Sequence, residues 1–302
     1  MKYNSELIRS LNQHFNWNKS RITCFSHMLL GLIAAETVNL QKIALAFASQ
    51  AEVSSRYRRL QRFFAVFEVD FVQIARFIFK LFFMRIPHYY LVINRTNWYW
   101  GKNKINVFML SIAYEGIVIP LFWTLLPKAG NSNYKERKAL VARFIKAFGT
   151  KGIVGLLADR EFGSGNFIAW LNQKKIPFYI RIKEGSRVCL KKKKWHTAKK
   201  LFHDVHAREE KVFSMDVELF GQKVFLSGSR SERGELMIVA TNRSPKNAIP
   251  IYLRRWEIES LFQSLKGRGF KFEQTHMTHP ERIEKLIALL AVGFAWAHKV
   301  GE

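Results

Sequence analysis

Asp159 is one of only four aspartates in the chain, with Asp70, Asp204 and Asp216. It ends the hydrophobic run Ile153 to Ala158, which reads as a buried strand, and the sequence around it is basic. An acid delivered to the end of such a strand suits a hard divalent cation held through oxygen ligands. The other reading is an Asp that caps the helix after it. A second set of candidates lies in residues 252–266. On a straight helix of about 100° per residue, Tyr252, Arg255, Glu259 and Lys266 fall within a sector of about 60°. A carboxylate flanked by two cations and a phenol suits a metal ion and the phosphates on which it acts. A surface salt-bridge stripe is the competing reading, because Arg255 and Glu259 stand at the helix-stabilising i, i+4 spacing.

These residues need a scaffold, and the patterning supplies one. Strands are expected at Tyr89 to Ile93, Ile105 to Ala113 and Ile117 to Leu125, the last two joined by a tight turn at Tyr114-Glu115-Gly116. Next come a helix over Tyr134 to Phe148, ended by Gly149, the strand that delivers Asp159, a helix over Ser164 to Lys174 and a strand at Phe178 to Ile182. Three strands in meander, a helix, a strand, a helix and a strand make a ribonuclease-H-like α/β order. Residues 183–235 read as an inserted antiparallel β-subdomain, and the strand Leu236 to Ala240 returns to the core. Ile249-Pro250 opens one long helix through Lys266, and Pro280 to Lys299 forms a last apolar helix. The expected units are therefore 1–85, helical; 86–182 with 236–302, the core; and 183–235, the insertion.

Within the first unit, 12 basic residues face 5 acidic ones. A short helix at Asn39 to Phe47 precedes a second one capped by Ser54, which carries Arg56, Arg58, Arg59 and Arg62 beside an apolar stripe. That is the shape of a helix-turn-helix whose second helix meets DNA, with a solvated basic face on a bundle helix as the alternative. The whole chain points the same way: 49 Lys and Arg against 23 Asp and Glu give +26 at pH 7 over 302 residues. Such an excess strains a compact fold unless a polyanion neutralises it. Phe108 to Pro127 has the length of a membrane span, but Glu115-Gly116 near its middle makes it a hairpin. Two cysteines, Cys24 and Cys189, provide no disulfide framework, so a reduced cytoplasmic chain without membrane partners is expected.

The motifs resemble a known family. Tyr252, Arg255, Glu259 and Lys266 match the YREK signature of bacterial insertion-sequence transposases of the DDE type, the insertion-sequence-four family. Ala158-Asp159-Arg160-Glu161-Phe162 looks like its second acidic motif, and Ile93-Asn94-Arg95-Thr96-Asn97-Trp98 like its first. The resemblance implies an N-terminal helical DNA-binding domain and a core in which three carboxylates hold two Mg2+ ions, with Mn2+ as a substitute. It also implies double-stranded DNA as partner, both terminal inverted repeats and target, a homodimer in the synaptic complex and association with the bacterial nucleoid. Carried over by position, Asn94, Asp159 and Glu259 are the catalytic and metal-holding residues, and Tyr252, Arg255 and Lys266 grip DNA phosphates.

Asn94 departs from the pattern, which has an aspartate there. An amide oxygen adds no negative charge, and Ile93 to Tyr114 holds no acid that could replace it. Chemistry is therefore expected to be impaired, and a non-catalytic DNA-binding paralogue or inhibitor of transposition is the alternative. Trp98, Trp100 and Trp123 could stack a flipped base but read more simply as core. His196, His203 and His206 lack a second ligand pair at zinc-finger spacing. The block Lys191 to Lys194 reads as a hairpin tip touching phosphates or as a solvated loop.

Overall fold

The computed structural model of the chain describes residues 2–190, 194–267 and 269–301. Five helices come first: α1 (Lys2–His14), α2 (Lys19–Ala35), α3 (Leu40–Leu45), α4 (Val53–Val66) and α5 (Phe71–Phe82). Asn18, Asn39 and Asp70 cap α2, α3 and α5 by accepting amide hydrogens of the first turn. In α5, Ile74, Phe77 and Ile78 recur at three- and four-residue spacing and are buried, the stripe that seats a helix on a core. The arginine-rich α4 has Glu52 in its cap position without a side-chain bond, so the expected cap at Ser54 is corrected to a first-turn residue. The physical reason is Arg56, whose guanidinium donates to the carbonyls of Phe47, Ser49 and Ala51 and closes the turn ahead of the helix.

A meander of β1 (Tyr89–Trp100), β2 (Asn103–Tyr114) and β3 (Ile117–Leu125) comes next. Glu115 and Gly116 take positive φ, 45° and 85°, the geometry that fits a tight hairpin to strand twist. β2 is buried at nearly every position, which explains why its sequence is as apolar as a membrane span. Among the described residues, no helix is long and apolar enough to cross a membrane. β1 runs past its expected end at Ile93, because β2 keeps pairing with it down to Trp100 opposite Asn103.

After α6 (Tyr134–Phe148), β4 (Ile153–Ala158) lies parallel between β1 and β5 (Phe178–Ile182), with α7 (Gly165–Gln173) as the crossover. Gly155 permits this close packing, since a Cβ there would stand 2.9 Å from the rings of both Tyr90 and Tyr179. The insertion contributes β6 (Arg187–Leu190), β7 (Lys194–Thr197), α8 (Ala198–Leu201), β8 (Glu210–Val212), β9 (Val217–Leu219) and β10 (Gln222–Arg230). Lys191, Lys192 and Lys193 lie outside the described residues. β10 pairs with β11 (Leu236–Thr241), which returns antiparallel to β5, so the insertion extends the main sheet. The strand order is β3-β2-β1-β4-β5-β11-β10-β9-β6-β7, with β8 also on β10.

The one long helix expected from Ile249 to Lys266 is corrected to two, α9 (Ala248–Leu253) and α10 (Glu257–Leu265), divided by a 3-10 turn at Arg254–Trp256. That turn has about 3.0 residues per turn instead of 3.6, so it rotates α10 away from a straight continuation of α9. The i, i+3 pair of Arg254 and Glu257 spans it at 3.4 Å. The last helix, α11 (Pro280–Gly301), packs on α2, α5 and β3. From α11, buried Lys285 donates to the Phe64 carbonyl of α4 (3.1 Å). The N-terminal helices thereby share one continuous buried core with the sheet.

Candidate active site

Two neighbouring strands place the first candidates. Ile93 of β1 and Ala158 of β4 are register partners, so Asn94, still paired with Met109 of β2, and Asp159, the residue just past β4, follow at the same end of the β1–β4 pairing. Both are half-buried. Asn94 Oδ1 accepts from the Arg95 amide (2.8 Å), and Asp159 Oδ1 accepts from the Arg160 amide (2.7 Å).

The divided helix supplies the rest. Tyr252, fully buried, donates its hydroxyl to Asp159 Oδ1 (3.3 Å). Arg255, only 4% exposed, donates Nε to Tyr252 Oη (3.1 Å) and an Nη to Glu259 Oε1 (3.4 Å). One hydrogen-bonded chain thus runs from Asp159 through Tyr252 and Arg255 to Glu259, whose side chain is 58% exposed at the outer end. Burial pushes the Tyr252 phenol up to about 12 against the opposing pull of Arg255, so it remains a protonated donor at neutral pH. Lys266 stands apart: it lies just past the end of α10, pairs with Glu273 (3.0 Å) and sits over the Trp98 ring (5.2 Å). The expected common face of four is therefore corrected to three, because the 3-10 turn breaks the helical phase and α10 ends at Leu265.

The sequence profile described as "Transposase DDE domain" matches residues 89–293, from the start of β1 into α11. The chain belongs to the DDE transposase family. No curated protein sequence matches it. Among solved structures, the cryo-EM structure of the piggyBac transposase synaptic complex with hairpin DNA is similar with a TM-score of 0.54 at 12% identity, over 100% of this chain and 73% of that one. That similarity is one of fold, a large mixed sheet with helices.

Three residues that sequence reading missed, Arg95, Asn106 and Arg137, fasten the transposase's acid-bearing edge. Arg95 donates to Asn106 Oδ1, Asn131 Oδ1 and Glu161 Oε2, each at 3.1 Å. Asn106 in turn donates to the carbonyls of Lys128 and Gly130. Arg137, buried on α6, donates to the carbonyls of Ser132, Glu161 and Phe162, and burial holds its guanidinium below its ordinary pKa. Together they tie the loop after Asp159 to the loop before α6. The available signal was Asn106, an amide inside a mostly apolar strand, where a buried polar group must find partners. The pairing also disposes of Glu161 as a substitute acid, since Arg95 already neutralises it.

The transposase's acids do not make a two-cation site as they stand. Among the described residues, no three His, Cys, Asp or Glu side chains stand together to hold a metal ion. Asn94 adds no charge, and Asp159 and Glu259 are bridged by Tyr252 and Arg255. Two carboxylates facing about four positive charges leave such a site undercompensated. His203 Nδ1 is instead within 2.9 Å of the Lys200 carbonyl. Trp98 and Trp123 are buried, and Trp100 is half-buried against His276. Of the four arginines on α4, Arg56 and Arg59 turn back onto the protein, Arg59 donating to the Ser20 carbonyl (2.6 Å), while Arg58 and Arg62 are exposed.

Proposed function

We propose that this DDE transposase is of the bacterial insertion-sequence-four type, with a ribonuclease-H-like core. On this reading it binds the terminal inverted repeats of its element as a homodimer on the nucleoid, and its strand cleavage and transfer are impaired by Asn94. One observation carries the reading. Asn94 and Asp159 directly follow the register pair Ile93 and Ala158, where Tyr252 and Arg255 tie in Glu259, and on this reading an amide takes the place of a first acid. The order β3-β2-β1-β4-β5 supports the core assignment, and the Tyr252, Arg255, Glu259 and Lys266 spacing supports the YREK type. The +26 charge favours a polyanionic partner, and the similar piggyBac structure is a synaptic complex with hairpin DNA. The Mg2+ or Mn2+ requirement of the type is expected to appear only with a third carboxylate in place.

Asn94 also favours a second reading, a non-catalytic DNA-binding paralogue or an inhibitor of transposition. A nicking assay on terminal-repeat duplex in Mg2+ and in Mn2+ separates the two. Cleavage by Asn94→Asp but not by the unaltered chain supports the impaired transposase. Tight end binding without cleavage by either protein supports the second reading. Absence of DNA binding by both overturns both.

A further inference from the structure

A cleft of about 680 Å³ lies between α3 and α4 on one side and residues 274–282, the segment that leads from α10 into α11, on the other. Its lining differs from the rest of a strongly basic surface. One cation, Arg282, and no carboxylate line it; the neutral polar groups include Gln41, Gln61, Gln274, His276 and His279, with the Tyr57 ring on the wall. The three glutamines are exposed, and among the described residues no hydrogen bond engages their amides. The His276 ring packs on Trp100 (4.5 Å), which fixes that wall to the end of β1. Outside the mouth, Arg58, Gln61, Arg62 and Ala65 line a neighbouring depression, so Gln61 and Ala65 belong to both.

Cations outside and neutral donors and acceptors inside divide the labour of nucleic-acid binding, in which phosphate contacts position and base contacts specify. Glutamine amides offer a donor and an acceptor together, the pair that a base edge presents, and the Tyr57 and His276 rings offer surfaces on which a base stacks. The volume falls in the range of about 300–1,000 Å³ typical of pockets that enclose one small ligand. A base pair within a duplex cannot enter such a concavity; an unpaired nucleotide can. Resting on the DNA-binding part of the reading above, we propose that this cleft receives an unpaired nucleotide of a DNA strand. Gln41, Gln61 and Gln274 read its base, and Arg58 and Arg62, in the neighbouring depression, hold phosphates of the adjoining duplex. Trp100 lies six residues beyond Asn94 on β1. At about 3.3 Å per residue that is roughly 20 Å, so the nucleotide sits a few positions along the strand from the acid-bearing edge.

The test is fluorescence anisotropy with the full chain and probes that share one duplex sequence, one blunt and two with short 5′ or 3′ single-stranded overhangs of mixed sequence. The unaltered chain should bind one overhang probe at least about 5-fold tighter than the blunt one, the lower end of what a stacked base contributes. Gln41→Ala with Gln61→Ala should bring that preference to within about twofold, and Gln274→Ala on the opposite wall should reduce it independently. Arg58→Ala with Arg62→Ala should weaken all probes in parallel. Thermal melts check that each variant is folded, and all three glutamines are exposed. Equal binding of blunt and overhang probes by the unaltered chain, or a preference that survives the glutamine changes, overturns the cleft's role and leaves the DNA-binding reading standing. Failure to bind any probe overturns that reading itself.

Discussion

Asn94 and Asp159 each succeed one member of a register pair on adjacent parallel strands, so a charge introduced at one lies beside the other. Asn94→Asp places two carboxylates there with only the Arg160 amide and the Tyr252 hydroxyl accounted for on the Asp159 side. Like charges so placed repel until a cation lies between them. The variant should therefore melt lower than the unaltered chain in chelator and recover as Mg2+ or Mn2+ is added, because a cation that binds only the folded state stabilises it. Nicking of terminal-repeat DNA should rise about 10- to 100-fold, the scale on which disturbed metal shells lose activity. A melting temperature indifferent to the cation in both proteins would sink this account of the site.

Arg255→Ala tests whether that residue holds the site or grips DNA. It is buried, and its two partners are Tyr252 Oη and Glu259. The Glu259 end is exposed enough for solvent to screen it, so most of the loss comes from the Tyr252 hydrogen bond and the emptied volume. Unfolding in urea should show a cost of about 1.5–3 kcal/mol, the range for a hydrogen bond to a charged group. Arg255→Lys should recover little, since an ammonium lacks the planar fork that reaches both partners. A variant as stable as the parent but weaker on DNA would instead make Arg255 a phosphate ligand.

The sheet was legible because strand signals are local: alternating or continuous apolar runs bounded by Glu115-Gly116 or Gly149 fix where β2, β3 and β4 start and stop. Asp159 and the pairing of Arg255 with Glu259 could be read for the same reason. The features that stayed hidden depend on interactions between distant segments. Arg95 looked like a bystander in the first motif, but its guanidinium meets groups 11, 36 and 66 residues away. Lys266 fits a straight helix on paper, but the 3-10 turn at Arg254–Trp256 and the end of α10 at Leu265 remove it from the common face. Identical arginines on α4 likewise divide by the groups that stand opposite them, which periodicity does not record.

That division gives a direct experiment on α4. Arg56 satisfies carbonyls of the preceding turn, whereas Arg58 and Arg62 are exposed. Arg58→Ala with Arg62→Ala should leave the melting temperature within a degree or so of the parent's, as surface substitutions do. The slope of log K against log salt on duplex DNA should become shallower by about 0.9 for each phosphate that the variant no longer neutralises. Arg56→Ala should do the reverse, lowering the melting temperature with the slope unaltered. Identical behaviour of the two variants in both measurements would refute a functional split along the helix.

His27 on α2 predicts how the helical region responds to acid. Its Nδ1 is buried without a partner among the described residues, and its ring packs near Phe47 (5.4 Å). Burial, with Arg59 and Arg56 adding repulsion, lowers its pKa from the ordinary 6.5. In the folded chain the ring therefore stays neutral at a pH where the unfolded chain already binds a proton. Between the two pKa values the unfolded state carries more protons, so stability rises with pH in that window and is lost as pH falls through about 6.5 toward the lower folded value. Melting temperatures at neutral pH and at about pH 5 should thus drop further for the unaltered chain than for His27→Leu, which cannot take up the proton. Arg59→Ala, by removing one of the repelling charges, should lessen the drop. If the unaltered chain and His27→Leu lose stability in parallel, the acid sensitivity comes from elsewhere and the buried ring does not govern it.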